Sequence, residues 1–146
     1  MNGMNGCKRV GVNLALVMAV VVWGCGIAQA ADWESISKAD GSELWVDTDS
    51  YADDDVYSSI WTKTLYKPAL ALPGAAAGVK YVEKRARFEF DCVKHAFRLR
   101  EFMYYGAKGE LLSKGKGEDA FVPVAPQSAG YKVGTLTCQV RRMVRP

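Results

Sequence analysis

The side chains with most chemistry to offer are a pair of cysteines, one histidine, a run of aspartates and four arginines. Cys92 and Cys138 remain once the N-terminal segment carrying Cys7 and Cys25 is set aside. An even pair in an exported chain reads as one disulfide, formed in an oxidising compartment. Closing that loop stabilises by about 4 kcal/mol in the chain-entropy model, a large share of a small domain's stability. No metal site is expected, because the chain has no CxxC and His95 is its sole histidine. One histidine cannot serve both a triad and a metal, and its place after Lys94 reads as an exposed turn rather than a haem ligand.

Two stretches imitate ligand loops and fail on spacing. In "DTDSYADDD" (47–55), Asp47 and Asp49 alternate as in a calcium loop. Tyr51 and Ala52 then stand where an oxygen ligand and a glycine are required. The successive aspartates 53–55 read instead as a solvated turn. "GAAAGVK" (74–80) is too short for a phosphate loop, and no Ser or Thr follows Lys80. Neither a nucleophile elbow nor a spaced acidic pair is present, so the chain is not expected to be an enzyme.

Arg85, Arg87, Arg98 and Arg100 are the remaining candidates. Alternation places each pair on one face of its strand, and a tight turn would bring the pairs together. Such a patch would recognise acidic protein or polysaccharide surfaces through arginine. Glu83, Glu89 and Asp91 share the first strand's wet face, and a balanced solvated surface is the simpler reading.

Antiparallel strands must position these groups. "DWESISK" (32–38) leads through a turn at Gly41 into "LWVD" (44–47), and "VYSSIWTKTLYK" (56–67) is rich in β-branched and aromatic residues. In "YVEKRARFEFDCV" (81–93), Val82, Ala86, Phe88, Phe90 and Cys92 point one way and the charged residues the other. Lys84 is the one exception on the apolar side. "AFRLREFMYY" (96–105) and "ELLSK" (110–114) follow, while the uncharged "PALALPGAAAG" (68–78) reads as a loop. Trp33, Trp45, Trp61, Tyr104 and Tyr105 read as sheet packing rather than a ligand platform. For "YKVGTLTCQVRR" (131–142) the signals divide evenly. Thr135, Thr137 and Val140 favour a strand, and Gly130 and Gly134 penalise a helix; Ser128 would cap a helix whose one face is Ala129, Val133, Leu136 and Val140.

The first thirty residues have the parts of a secretory signal: Lys8 and Arg9, an apolar run from Val10, and Ala28-Gln29-Ala30. Cleavage after Ala30 is expected, leaving one domain over 31–146. The rival is a lipobox ending at Cys25, where Trp23 is bulky for its position; that cut would leave an outer-membrane lipoprotein, the one membrane attachment the sequence suggests. The chain has 19 Lys plus Arg against 16 Asp plus Glu, and loss of Lys8 and Arg9 leaves 17 against 16. That balance gives no electrostatic reason to expect nucleic acid as a partner.

Taken in order, "DW", "LWVDTDS", "IWTK", "FEFDC", Arg98 and Arg100 with "YYGA", and "VAPQS" before the last cysteine resemble the surface-adhesin protein E family. The resemblance runs from Trp33 to Cys138, although the aromatic residue usual before "APQS" is displaced here to Phe121. It implies an α+β fold: one antiparallel sheet of about six strands, with a C-terminal helix held on one face by the disulfide. That tips 131–142 towards helix. It also implies a periplasmic or secreted binding protein whose partners are host extracellular-matrix or plasma proteins, and it brings with it haem binding and a homodimer. The residues themselves call for no cofactor. The competing functional classes are a periplasmic enzyme or enzyme accessory, and a structural envelope or stress protein.

Overall fold

The computed structural model describes residues 31–145. Cleavage after Ala30 and lipidation at Cys25 lie outside the described residues. Seven strands and one helix follow in the order β1 (Trp33–Ala39), β2 (Ser42–Asp53), β3 (Ser58–Ala71), β4 (Lys80–Asp91), β5 (Ala96–Tyr105), β6 (Leu111–Lys116), β7 (Val122–Pro123) and α1 (Ala129–Val144). The first six form an antiparallel meander in sequence order, and the two-residue β7 pairs with Ala96 and Phe97 at the start of β5. Such an arrangement needs only short connections. Gly41 supplies the first with φ 77°, and its carbonyl accepts from the Lys67 N–H at 2.9 Å.

Period-two alternation decides which face is buried. Leu44 and Val46 of β2, Ile60 of β3 and Phe90 of β4 form the core with Val133 of α1, and Phe88, Phe97 and Leu136 pack around them. Thr62 is fully enclosed among them, its hydroxyl satisfied by donation to the Ala86 carbonyl.

The segment whose local signals divide is helical. Ser128 Oγ accepts the Tyr131 N–H at 3.1 Å, and Thr137 donates to the Val133 carbonyl one turn back at 2.8 Å. The buried stripe is Val133, Gly134 and Thr137, rotated from the expected Ala129, Val133, Leu136 and Val140. Gly134 is the reason. Having no side chain, it lets the helix settle directly on Phe90, where a Cβ would lie 2.9 Å from the ring. Cys92, in the turn after β4, is bonded to Cys138 of α1 with Cα atoms 5.6 Å apart, so the expected disulfide ties the helix to the sheet.

Two local expectations are corrected. The strand β3 runs on through Pro68–Ala71, so the loop is confined to 72–79. A register shift between Leu65 and Leu70 accommodates the proline, which has no N–H to offer the ladder. The aspartates 53–55 are not simply a solvated turn. Asp53 ends β2 with a nearly buried carboxylate that meets Arg141 at 2.8 Å and Arg145 at 2.7 Å, and Asp55 also pairs with Arg145. Asp54 accepts the Tyr57 N–H at 2.7 Å and shapes the turn itself. Cations at a helix C-terminus also complement its dipole, so this contact seats the last turn of α1.

Candidate functional site

The helix covers one face of the sheet and leaves the other open. Residues that alternate with the core line that open face, and strand register sets them in rows. Trp45, Lys63, Arg85 and Met103 oppose one another across β2 to β5, and Asp47, Trp61, Arg87 and Glu101 form the next row. Trp33 of β1 stands opposite Asp47. A register shift between Asp47 and Ala52 is closed by Ser50, whose Oγ accepts the Trp61 N–H at 2.8 Å and donates to the Asp47 carbonyl.

Cations and aromatic rings alternate across this face. Lys63 Nζ lies 4.5 Å from the centre of the Trp33 ring and 5.0 Å from that of Trp45. The Arg85 guanidinium is 5.8 Å from Trp33 and 4.7 Å from Tyr105. Each such contact contributes about 0.5–1 kcal/mol at a partly exposed site. At the edge of β2 the Ser35 hydroxyl donates to Glu43 at 2.7 Å and holds its carboxyl below the usual range, with Lys38 contributing. Trp45 Nε1, Asp47 Oδ1 and Arg87 Nε are enclosed beneath this layer without a protein hydrogen-bond partner among the described residues.

The four candidate arginines divide into two groups. Arg85 pairs with Glu83 and Arg87 with Glu101 at 3.3 Å, leaving their side chains 39% and 40% exposed in the middle of the open face. Between Arg87 and Phe88 the β4–β5 register shifts by one residue, and Arg100 is the residue taken up. The shift puts Glu101 instead of Arg100 opposite Arg87, while Arg98, nearer the turn, stands opposite Glu89. Its side chain is 18% exposed against 11% for Glu89, and its guanidinium lies 4.6 Å from the Phe121 ring and 5.4 Å from Tyr57. Arg100 meets Asp119 at 3.1 Å. The central pair belongs to an exposed surface and Arg98 to a packed one.

Trp33, Trp45, Trp61, Lys63 and Tyr105 are the members of this face that sequence reasoning assigned to packing or passed over. The usable signal was their phase: Trp45 falls between Leu44 and Val46, and Trp61 between Ile60 and Thr62, so both point away from the core. His95 occupies the β4–β5 turn with φ 53° and lines a cavity of about 280 Å³ beside the disulfide. Asp91 in the same cavity is committed to the N–H groups of Val93 and Lys94. Among the described residues no three His, Cys, Asp or Glu side chains gather as a metal site, and no helix is long and apolar enough to cross a membrane.

A family model described as surface-adhesin protein E matches residues 33–139. Two solved structures of Haemophilus influenzae protein E, one of them crystal form II, share the fold. The first aligns with a TM-score of 0.52 at 9% identity, covering 76% of this chain and 97% of that one. The second aligns with a TM-score of 0.52 at 12% identity, covering 78% and 92%. No curated protein matches the sequence.

Proposed function

Since the chain belongs to the surface-adhesin protein E family, we propose that it is a non-catalytic envelope protein that binds acidic surfaces of extracellular macromolecules, host matrix proteins among them, through the open face of its sheet. The observation that carries this reading is the interleaving of Lys63, Arg85 and Arg87 with Trp33, Trp45 and Tyr105 on a part of the sheet that the helix leaves uncovered among the described residues. Rings that hold guanidinium and ammonium groups in place reduce the side-chain entropy lost when an acidic partner docks.

Near-neutral overall charge gives little long-range steering, so affinity must come from this local patch and fall as salt rises. The test is binding of the purified protein to immobilised matrix proteins and to an acidic glycan at low and high salt. Arg85→Ser with Arg87→Ser should weaken binding at least fivefold at low salt while the fold is retained. Arg98 is left in place, because its removal would strand the nearly buried Glu89. Arg100→Ser, made separately, reports whether the surface extends to the β5 edge. Undiminished binding by the folded double variant would remove the patch from consideration.

A further inference from the structure

The one charged residue on the helix side of β4 points to a second site, on the opposite face of the sheet and independent of the adhesive reading. Lys84 stands between Thr64 and Tyr104 in the strand register, with the buried Ala86 next on its own face. Its side chain is half-buried and lines a chamber of about 150 Å³ between the sheet and the first turn of α1. The other walls are mainly apolar, among them Leu44, Phe88, Phe97 and Val133. Thr64 and Tyr66 add hydroxyls and also line an adjoining chamber of about 340 Å³.

Among the described residues the charge in this chamber has no opposite number. Burial holds the Lys84 ammonium below the usual lysine range, and no described carboxylate offsets it. The first turn of α1 carries no acidic residue. Tyr66, Tyr81 and Tyr104 form a chain of edge-to-face rings beside it, with centroids 5.3 Å and 4.6 Å apart. Burial pushes the phenols of Tyr66 and Tyr81 up, so neither supplies a negative charge. The Tyr104 ring centre, 5.7 Å from Lys84 Nζ, gives only a weak cation–π contact. A partly desolvated cation gains from a counter-charge, and an apolar chamber beside it is suited to the tail of whatever pairs it.

We propose that this chamber binds a small amphipathic monocarboxylate, its carboxylate on Lys84 and its tail against Leu44, Phe88, Phe97 and Val133. One ammonium matches one negative charge, whereas the second charge of a phosphate would find no partner. The volume sets the size: an apolar cavity of about 150 Å³ holds a molecule of about benzene's dimensions, equivalent to a chain of about six carbons.

Hexanoate is the probe, titrated into the purified protein while the NMR signals of the Lys84 side chain are followed. A saturable shift is expected, with a Kd at or below about 1 mM. Lys84→Met keeps the length and apolar stem but removes the charge. It should weaken hexanoate at least tenfold and leave binding of 1-hexanol unchanged, and hexylamine should not bind the wild-type protein. The proposal is overturned by the absence of any saturable Lys84 shift in the wild-type protein, a measurement that needs no variant. It is equally overturned if folded Lys84→Met binds hexanoate undiminished, or if hexylamine binds as well as hexanoate.

Discussion

Replacing Gly134 by alanine sets helix propensity against packing, and the structure determines which wins. In a helix interior the exchange removes backbone entropy cost and stabilises by about 1 kcal/mol. Here the new methyl carbon would sit 2.9 Å from Phe90 Cε1 and 3.0 Å from Cδ1. The Phe90 ring is 1% exposed, with Phe88 and Phe97 at centroid distances of 6.3 Å and 6.1 Å. Phe88 and Phe97 hem it in on the sheet side, and it borders the cavity of about 280 Å³ beside the disulfide, so either the ring leaves its rotamer towards that cavity or the helix lifts from the sheet. Overpacking of this kind costs about 1–3 kcal/mol. The difference is a net destabilisation of about 0–2 kcal/mol from Gly134→Ala, lowering Tm by up to several degrees in a domain of this size. Gly130 provides the matched control, since a Cβ there would lie 3.6 Å from the nearest Phe97 atom, an ordinary contact. Gly130→Ala should be neutral or stabilising by up to about 1 kcal/mol. The assay is urea denaturation of both variants with the disulfide intact. If Gly134→Ala stabilises the protein by the full helix gain of about 1 kcal/mol, the close seating of α1 on Phe90 is wrong.

Three further outcomes follow from the same contacts. Changing Cys92 and Cys138 together to serine should leave a folded protein less stable by about 2–5 kcal/mol, and recovery of both cysteines as free thiols from the native protein would contradict the bond. Asp53→Asn should cost on the order of 2 kcal/mol in urea denaturation by leaving Arg141 and Arg145 without their nearly buried partner, whereas Asp49→Asn on the exposed part of β2 should change stability by less than about 0.5 kcal/mol. The N–H of Lys94 holds the Asp91 carboxyl low, and the N–H of Tyr57 does the same for Asp54. The unfolded chain takes up these protons first, so the stabilisation is complete above about pH 5 and is lost as pH falls through the folded values. Tm should hold from pH 7 to about 5 and then drop in acid, and an Asp54→Asn, Asp91→Asn variant that drops just as steeply would refute the assignment.

Much of the fold is legible in residues that are neighbours in sequence. The alternation of Ala86, Phe88 and Phe90 with Arg85, Arg87 and Glu89 fixes which face of β4 meets the core, because a strand has only two faces. The same phase places Trp45 and Trp61 outward, and Ser128 marks the start of α1. Cys92 and Cys138, the only cysteines among the described residues, leave a single internal pairing to consider there.

What the sequence leaves open concerns groups brought together across strands or from distant segments. Whether 131–142 is helix or strand depends on Gly134 meeting Phe90, and on Arg141 meeting Asp53 some 88 residues away. Neither contact has any local trace. One extra residue at Arg100 is enough to put Glu101 in its place opposite Arg87, because a bulge changes which residues oppose each other, while Glu89, Tyr57 and Phe121 tie Arg98 into packing. Lys84 breaks the pattern visibly in the sequence. Only the packed structure places it in a chamber without a counter-charge among the described residues, since charge pairing and cavity volume are properties of elements distant in sequence.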